Sequence, residues 1–259
     1  MKKEEIEKYK LLDESLEAIS KNVIKLLIIK GQSGFGKTYT TLKYAKENKL
    51  NYKYINNYST PLAFYKLLYK NRKRDVIIFD DIQGMSDLKV ISLFKSACWE
   101  SENSERVINY YSTSSILKKE NLPTSFVLKS NIILIFNEEI KGFESIIDRG
   151  VMLNFKFSFK EKLEIIEHFK KESKIDDEVF SFIKKNYNSS ATNLSLRNLI
   201  ILSNLKKEGY DFKSFAKEMI FISNPIKDLI KMSEKEWCNK TGKHRATYYR
   251  NCKKYNISK

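Results

Sequence analysis

The sequence predicts a doubly wound α/β sheet followed by an all-helical region, and three observations carry that expectation. Short, nearly continuous apolar runs recur and alternate with stretches of helical period. The first of these runs leads straight into a glycine-rich octapeptide, Gly31-Gln32-Ser33-Gly34-Phe35-Gly36-Lys37-Thr38, with a helix-forming stretch behind it. After Ser158 the strand-like runs stop and only helical period remains. A length of 259 residues fits one or two domains, and 42% apolar residues supply enough material for a core.

Each element follows from its local pattern. Residues 3–20 place Ile6, Leu11, Leu12, Leu16 and Ile19 near helical spacing. Val23 to Ile29 is an apolar run suited to a strand buried on both faces of a parallel sheet. A helix is expected from Lys37 to Asn48, a strand from Tyr52 to Ile55 and a helix from Pro61 to Tyr69. Val76 to Phe79 is a third strand, ending in Asp80-Asp81, and Ser86 to Glu102 a helix. Residues 106–111 and 125–128 could pair as an inserted hairpin. Asn131 to Asn137 and Val151 to Phe155 complete the sheet. Helices are then expected at about 159–173, 176–187, 195–207 and 211–220. Asn224-Pro225 breaks the chain, because proline disfavours helix in the residue before it. The expected division is an α/β core at 1–157, a helical lid at 158–223 and a basic tail at 224–259.

Charge and composition narrow the function classes. Charged residues make up 31%, and no apolar run approaches the roughly 18 residues of a membrane span. Met1 to Asp13 is charged and lacks the apolar stretch of a secretory signal, so a cytoplasmic location is expected. Cys98, Cys238 and Cys252 are too few and too far apart for a disulfide framework or a zinc site. His168 and His244 carry no metal pattern and are expected at the surface. The net charge of +16 favours a polyanionic partner, DNA above all. Between Lys227 and Lys259 stand ten lysines and arginines against three acids, an excess of seven positive charges in the last eighth of the chain.

The octapeptide matches the phosphate-binding P-loop signature at every defined position. Its glycines let the backbone curl until its N–H groups point at phosphates, and the following helix adds its positive end. Gly31, Gln32, Ser33, Gly34, Phe35, Gly36, Lys37, Thr38 and the next residue, Tyr39, are therefore the expected ATP-binding set. Lys37 is expected to reach the β and γ phosphates, and the Thr38 hydroxyl to ligate Mg²⁺. Val76 to Asp81 is an apolar strand with acids at its carboxyl end, where parallel sheets bind ligands. Asp80 is expected to hold Mg²⁺ through water and Asp81 to orient or deprotonate the attacking water.

Walker A and B motifs, a later strand ending in Asn137, an arginine before the last strand and an arginine in a helical lid together resemble the AAA+ ATPases. The resemblance covers about residues 20–220. It implies that Asn137 is sensor 1, positioning the water. Arg149, in Asp148-Arg149-Gly150, would be an arginine finger entering the neighbouring subunit, and Arg197, in Ser195-Leu196-Arg197, would be sensor 2. A finger acting in trans implies a homo-oligomer, often a hexameric ring or a helix in this family. The family usually places Glu where this chain has Asp81, one methylene shorter. Phe79-Asp80-Asp81-Ile82-Gln83 resembles the bacterial chromosomal replication initiators of that family.

The tail reads as a DNA-binding unit. Ser233 with Glu236 makes a capping box, Thr241-Gly242-Lys243 a turn, and His244 to Tyr255 a second helix. Cys238, Gly242 and Tyr248 fall at helix-turn-helix spacing, which directs Lys243, Arg245, Thr247, Tyr249 and Arg250 toward DNA. Trp237 is assigned to the core of this small unit. The expected function is a DNA-associated ATP hydrolase, with replication as the process and a helicase, or a loader or initiator that recruits a replicative helicase, as the role. The alternative is an ATP-switched targeting or regulatory factor in transposition or transcription that does not translocate. For a translocating motor, Tyr110, Tyr111, Lys118 and Lys119 of the insert are the candidate pore residues. The composition hints at a phage or mobile element, with the host cytoplasm as the site of action.

Overall fold

The computed structural model describes residues 7–56, 60–81, 87–99, 105–111, 116–137, 144–189, 191–220, 232–242 and 244–254. The chain divides into two compact units, Met1–Lys156 and Phe157–Lys259.

The first unit is built on a parallel sheet. Its strands are β1 (Leu26–Gly31), β2 (Tyr52–Ile55), β3 (Val76–Asp80), β6 (Asn131–Phe136) and β7 (Val151–Phe155), in the order β2-β3-β6-β1-β7. Helices α1 (Glu7–Ser20), α2 (Lys37–Glu47), α3 (Pro61–Asn71) and α4 (Leu88–Cys98) flank it. Which face of the sheet a residue takes follows the two-residue period of a strand. Leu26, Ile28, Ile77, Phe79, Ile132, Leu134 and Phe136 share one core with Phe64 of α3 and Phe94 of α4. The alternate residues Leu27, Ile29, Ile78, Ile133 and Ile135 are equally buried, and α1 packs against β1, β7 and α2. A sheet covered on both faces explains why these strands read as unbroken apolar runs rather than as alternation.

Register positions the site. Asp80 lies beside Ile135, and Phe136 beside Lys30, so the carboxyl ends of β3, β6 and β1 finish side by side. Gly31, Asp80-Asp81 and Asn137 thereby reach one edge of the sheet.

Several elements depart from the sequence expectation for local reasons. The run beginning at Val23 joins the sheet only at Leu26. Asn22 adopts a φ of 61°, and the Val23 and Ile24 N–H groups return to the Ala18 carbonyl to close α1, which leaves Val23 71% exposed. Helix α4 is shorter than the expected Ser86–Glu102. Asp87 caps its start, Trp99 is already extended, and residues 82–86 and 100–104 lie outside the described set. Its last turn is held by side chains: Arg106 Nη1 donates to the Ala97 carbonyl at 3.2 Å and Arg149 Nη1 to that of Lys95 at 2.9 Å. The expected hairpin is present as β4 (Val107–Asn109) antiparallel to β5 (Ser125–Val127), with the short helix α5 (Ile116–Lys119) between them. A further short helix, α6 (Glu144–Ile147), has too few residues to show a period in the sequence.

The second unit contains α7 (Phe159–Phe169), α8 (Asp177–Asn186), α9 (Leu196–Lys207) and α10 (Phe212–Met219), followed by α11 (Glu234–Thr241) and α12 (Arg245–Lys254). Asp176 ties two of its helices together. Its carboxylate accepts from the backbone N–H groups of Glu178 and Val179 at the start of α8 and from Lys206 Nζ of α9 at 2.6 Å. Asp176→Ala should lower stability by about 1 kcal/mol in urea unfolding at neutral pH, the usual worth of a lost cap. The Lys206 hydrogen bond, first, and the two backbone donors hold the Asp176 carboxyl below its ordinary 3.8. A depressed carboxyl stabilises above its unfolded-state value and ceases to as pH falls through its folded value. The gap between variant and wild type should therefore close as the pH drops below 3.8.

Helices α11 and α12 carry a small core of their own, Trp237, Tyr248 and Cys252, all buried. Gly242, at φ 66°, ends α11, whose start has the expected Ser233–Glu236 capping box.

Candidate active site

Lys37 is the hub. It is 5% exposed, and its Nζ donates to the carbonyls of Gly31 (2.8 Å) and Gln32 (2.9 Å) and to Asn137 Oδ1 (2.9 Å). Asn137 in turn donates through Nδ2 to Asp81 Oδ2 at 2.5 Å. The Thr38 hydroxyl donates to Asp80 Oδ2 at 2.9 Å. The octapeptide, the acidic end of β3 and the residue after β6 are thus joined by direct hydrogen bonds across about a hundred residues of sequence.

Asp81 is held in an unusual conformation. Its φ of 45° lies in the left-handed region, which aspartate tolerates better than most residues, and its N–H donates to the Ile135 carbonyl. Burial pushes its carboxyl up from 3.8, and the neighbouring Asp80 adds to this; Lys37 and Asn137 oppose the rise. A carboxylate kept partly desolvated and aimed by an amide is suited to accepting a proton from water. Tyr54 of β2 also enters the site, donating its hydroxyl to Asp80 Oδ2 at 2.8 Å. Burial, then the hydrogen bond to Asp80, pushes its phenol up to about 12.

The loop's backbone shape follows from its glycines. Gly34 and Gly36 adopt φ of 76° and 74°, turning successive N–H groups to one side. At Gly31, with φ 148°, an added Cβ would lie 2.3 Å from the Phe155 carbonyl oxygen, so β7 approaches too closely for any side chain. Phe35 is fully buried, and its carbonyl accepts from the Tyr9 hydroxyl of α1 at 2.5 Å. Phe35 therefore serves the loop through its backbone while its ring anchors it. Helix α2 has Gly36 at its N-cap and so no side-chain cap, whereas Thr60, Asp87, Ser158, Asp176, Ser195, Asp211 and Ser233 cap other helices.

These features fit a nucleoside triphosphate with Mg²⁺. Uncapped helix N–H groups, a curled loop and a buried ammonium make an anion cradle. A hydroxyl and one carboxylate suit an ion that keeps most of its waters, as Mg²⁺ does. Among the described residues no group of three or more His, Cys, Asp or Glu side chains gathers to hold a metal by itself.

No protein-family model matches the chain. Over 137 residues it is 32% identical to an uncharacterised 36.7 kDa protein from the nrdC-mobD intergenic region of Enterobacteria phage T4. That match takes in 50% of this chain and 40% of the phage protein, so it spans about two fifths of the relative's length. Among solved structures, a point mutant of Thermotoga maritima RuvB superposes with a TM-score of 0.56 at 16% identity, covering 93% of this chain and 83% of that one. The Thermotoga maritima RuvB Holliday junction branch migration motor gives 0.54 at 17% identity, with the same coverage. A second RuvB point mutant gives 0.55 at 17% identity, over 92% and 82%. The fold is that of a P-loop NTPase, as in RuvB. At such low identity the likeness speaks for the fold alone.

Other candidate residues lie elsewhere on this fold. Arg149 is half-buried and bonded within its own chain: Nε donates to the Ser145 carbonyl at 3.0 Å, Nη1 to that of Lys95, and the guanidinium lies 5.5 Å from the Trp99 ring centre. Arg197 is exposed in the first turn of α9, after its Ser195 cap, and belongs to the second unit. Tyr39 stands on α2, 53% exposed, with Lys43 over its ring. Among the expected DNA contacts, Lys243 lies outside the described residues. Arg245 and Tyr249 are exposed but both bind Glu234 Oε2, at 2.9 and 3.0 Å. Arg250 is exposed and Thr247 half-buried on α12. Sequence reasoning misses Tyr54, Tyr9 and Arg106. Their partners are set by strand register and helix packing, and no motif marks them.

Proposed function

We propose that the chain is an ATP hydrolase that works on DNA as a homo-oligomer, coupling nucleotide binding and hydrolysis to movement or assembly on the nucleic acid. The observation carrying the ATPase reading is the linked set Lys37–Asn137–Asp81 beside Thr38–Asp80. Lys37, with the loop and α2 amides, binds the β and γ phosphates. Thr38 and Asp80 hold the metal, which supplies charge neutralisation when bound. Asp81, aimed by Asn137, takes the proton from water as its oxygen bonds to the γ phosphorus and the bond to the bridging oxygen breaks, leaving ADP and phosphate.

The DNA reading draws on the +16 charge, its concentration in the tail and the likeness to a branch migration motor. Replication is the proposed process, with helicase or helicase loader as the role. The inserted β4–β5 hairpin, with exposed Tyr111, Lys118 and Lys119, supports a translocating motor over a purely regulatory factor, whereas the fourth expected pore residue, Tyr110, is half-buried and stacked on Tyr65. Arg197 is assigned to sensing the nucleotide from the lid, residues 158–223, and the 224–259 tail to duplex contact.

The test is ATP hydrolysis and strand displacement on single-stranded, duplex and four-way-junction DNA, with the full chain and with Arg250→Glu. DNA should stimulate hydrolysis at least several-fold, and Arg250→Glu should weaken DNA binding about tenfold while leaving DNA-free hydrolysis unchanged. Hydrolysis indifferent to every DNA would remove the DNA reading. Stimulation without displacement, together with recruitment of a separate helicase, would select the loader.

A further inference from the structure

We propose that Tyr54 is a positioning residue for the metal-holding carboxylate, fixing Asp80 from the neighbouring strand and so setting how tightly the site takes Mg²⁺. The inference rests on the reading of this site as a Mg²⁺-nucleotide site.

The geometry comes from the sheet. Tyr54 pairs with Ile78, and Asp80 follows two residues along β3, so all three side chains share one face. The residues between them, Ile55 and Phe79, turn to the opposite face and enter the core with Phe64 and Phe94. A tyrosine is long enough to span the diagonal from its own pair position to the next same-face residue. Its hydroxyl reaches Asp80 Oδ2 at 2.8 Å, on the oxygen that also accepts from Thr38 Oγ1 at 2.9 Å.

The two donors differ in what metal binding asks of them. A hydroxyl oxygen binds a metal through a lone pair and keeps its O–H to donate, so Thr38 would serve the ion and Asp80 at once. Tyr54 is on a different strand and has no such second duty. Its hydroxyl is left to the carboxylate, fixing Asp80 from the neighbouring strand where Thr38 would be shared with the ion. Partners that orient the groups holding a metal typically contribute about 10- to 100-fold in metal affinity, lost when they are removed.

Tyr54→Phe removes the hydroxyl and keeps the ring. Binding of a fluorescent ATP analogue would be measured in EDTA and across a Mg²⁺ titration, beside hydrolysis at each Mg²⁺ concentration and a thermal melt. In the variant the half-saturating Mg²⁺ for analogue binding should rise about tenfold. Affinity in EDTA and kcat at saturating Mg²⁺ should stay within about twofold. A lowered melting temperature with an unchanged Mg²⁺ midpoint would mean the hydroxyl is only structural, and the proposal would be overturned. Equal loss of affinity with and without Mg²⁺ would also overturn it, by pointing to the loop rather than the metal. Failure of the wild-type chain to bind the analogue at any Mg²⁺ concentration would instead count against the nucleotide-site reading itself.

Discussion

Lys37→Ala should abolish nucleotide turnover and weaken nucleotide binding by about two to four orders of magnitude. The ammonium is buried and meets three oxygens, two of them carbonyls of the loop itself. A phosphate competing for those bonds gains charge-assisted contacts worth about 1.5–3 kcal/mol each. Two such contacts amount to about 3–6 kcal/mol, and each 1.4 kcal/mol is about a factor of ten. The loss extends beyond the phosphates. Asn137 Oδ1 would lose its donor, and Asn137 is what aims Asp81. The variant should therefore fall further in hydrolysis than in binding. A fluorescent ATP analogue and a phosphate-release assay would separate the two. A Lys37→Ala chain that hydrolyses ATP within about tenfold of wild type would disprove the assigned site.

The sequence is informative where a function is written as a contiguous string and silent where it depends on register. The octapeptide and Asp80-Asp81 are local signatures, each directly behind an apolar strand, and the loop geometry and carboxylate placement follow them closely. Asn137 can be picked out because it ends a strand. Its partner Lys37 lies 100 residues away along the chain and its partner Asp81 lies 56 away, and both appear only once β1, β3 and β6 are aligned. Tyr54 and Tyr9 look like ordinary amphipathic residues until β2 and α1 are set against β3 and the loop. The extent of α4 is misread from sequence for a similar reason. Apolar period alone carries the helix past Trp99, whereas Arg106 and Arg149 bond to its last-turn carbonyls from elsewhere in the chain. The tail shows the limit of a charge count. Glu234 sits among the expected contact residues and takes both Arg245 and Tyr249.

Arg149 is the residue whose two readings make the most different predictions. As a finger acting on a neighbouring subunit, its loss should leave ATP binding intact and lower hydrolysis by the assembled protein about a thousandfold or more. As a cap for α4, its loss should destabilise its own chain, since two backbone carbonyls and the face of Trp99 would lose their cation. Arg149→Ala alone confuses the two, because a shifted α4 would disturb the end of β3 nearby in sequence. Mixing variants separates them. Lys37→Ala chains keep Arg149 but bind nucleotide poorly; Arg149→Ala chains keep an intact nucleotide site. If the guanidinium acts in trans, each inactive protein supplies what the other lacks, and mixed assemblies should recover hydrolysis in proportion to mixed interfaces. A guanidinium that works only on its own α4 cannot be lent to a neighbour, and the mixture would stay as inactive as its parts. For the trans reading to hold, the contacts to Ser145, Lys95 and Trp99 have to break on assembly. The finger's cost is then built into the single chain, and hydrolysis should depend steeply on protein concentration.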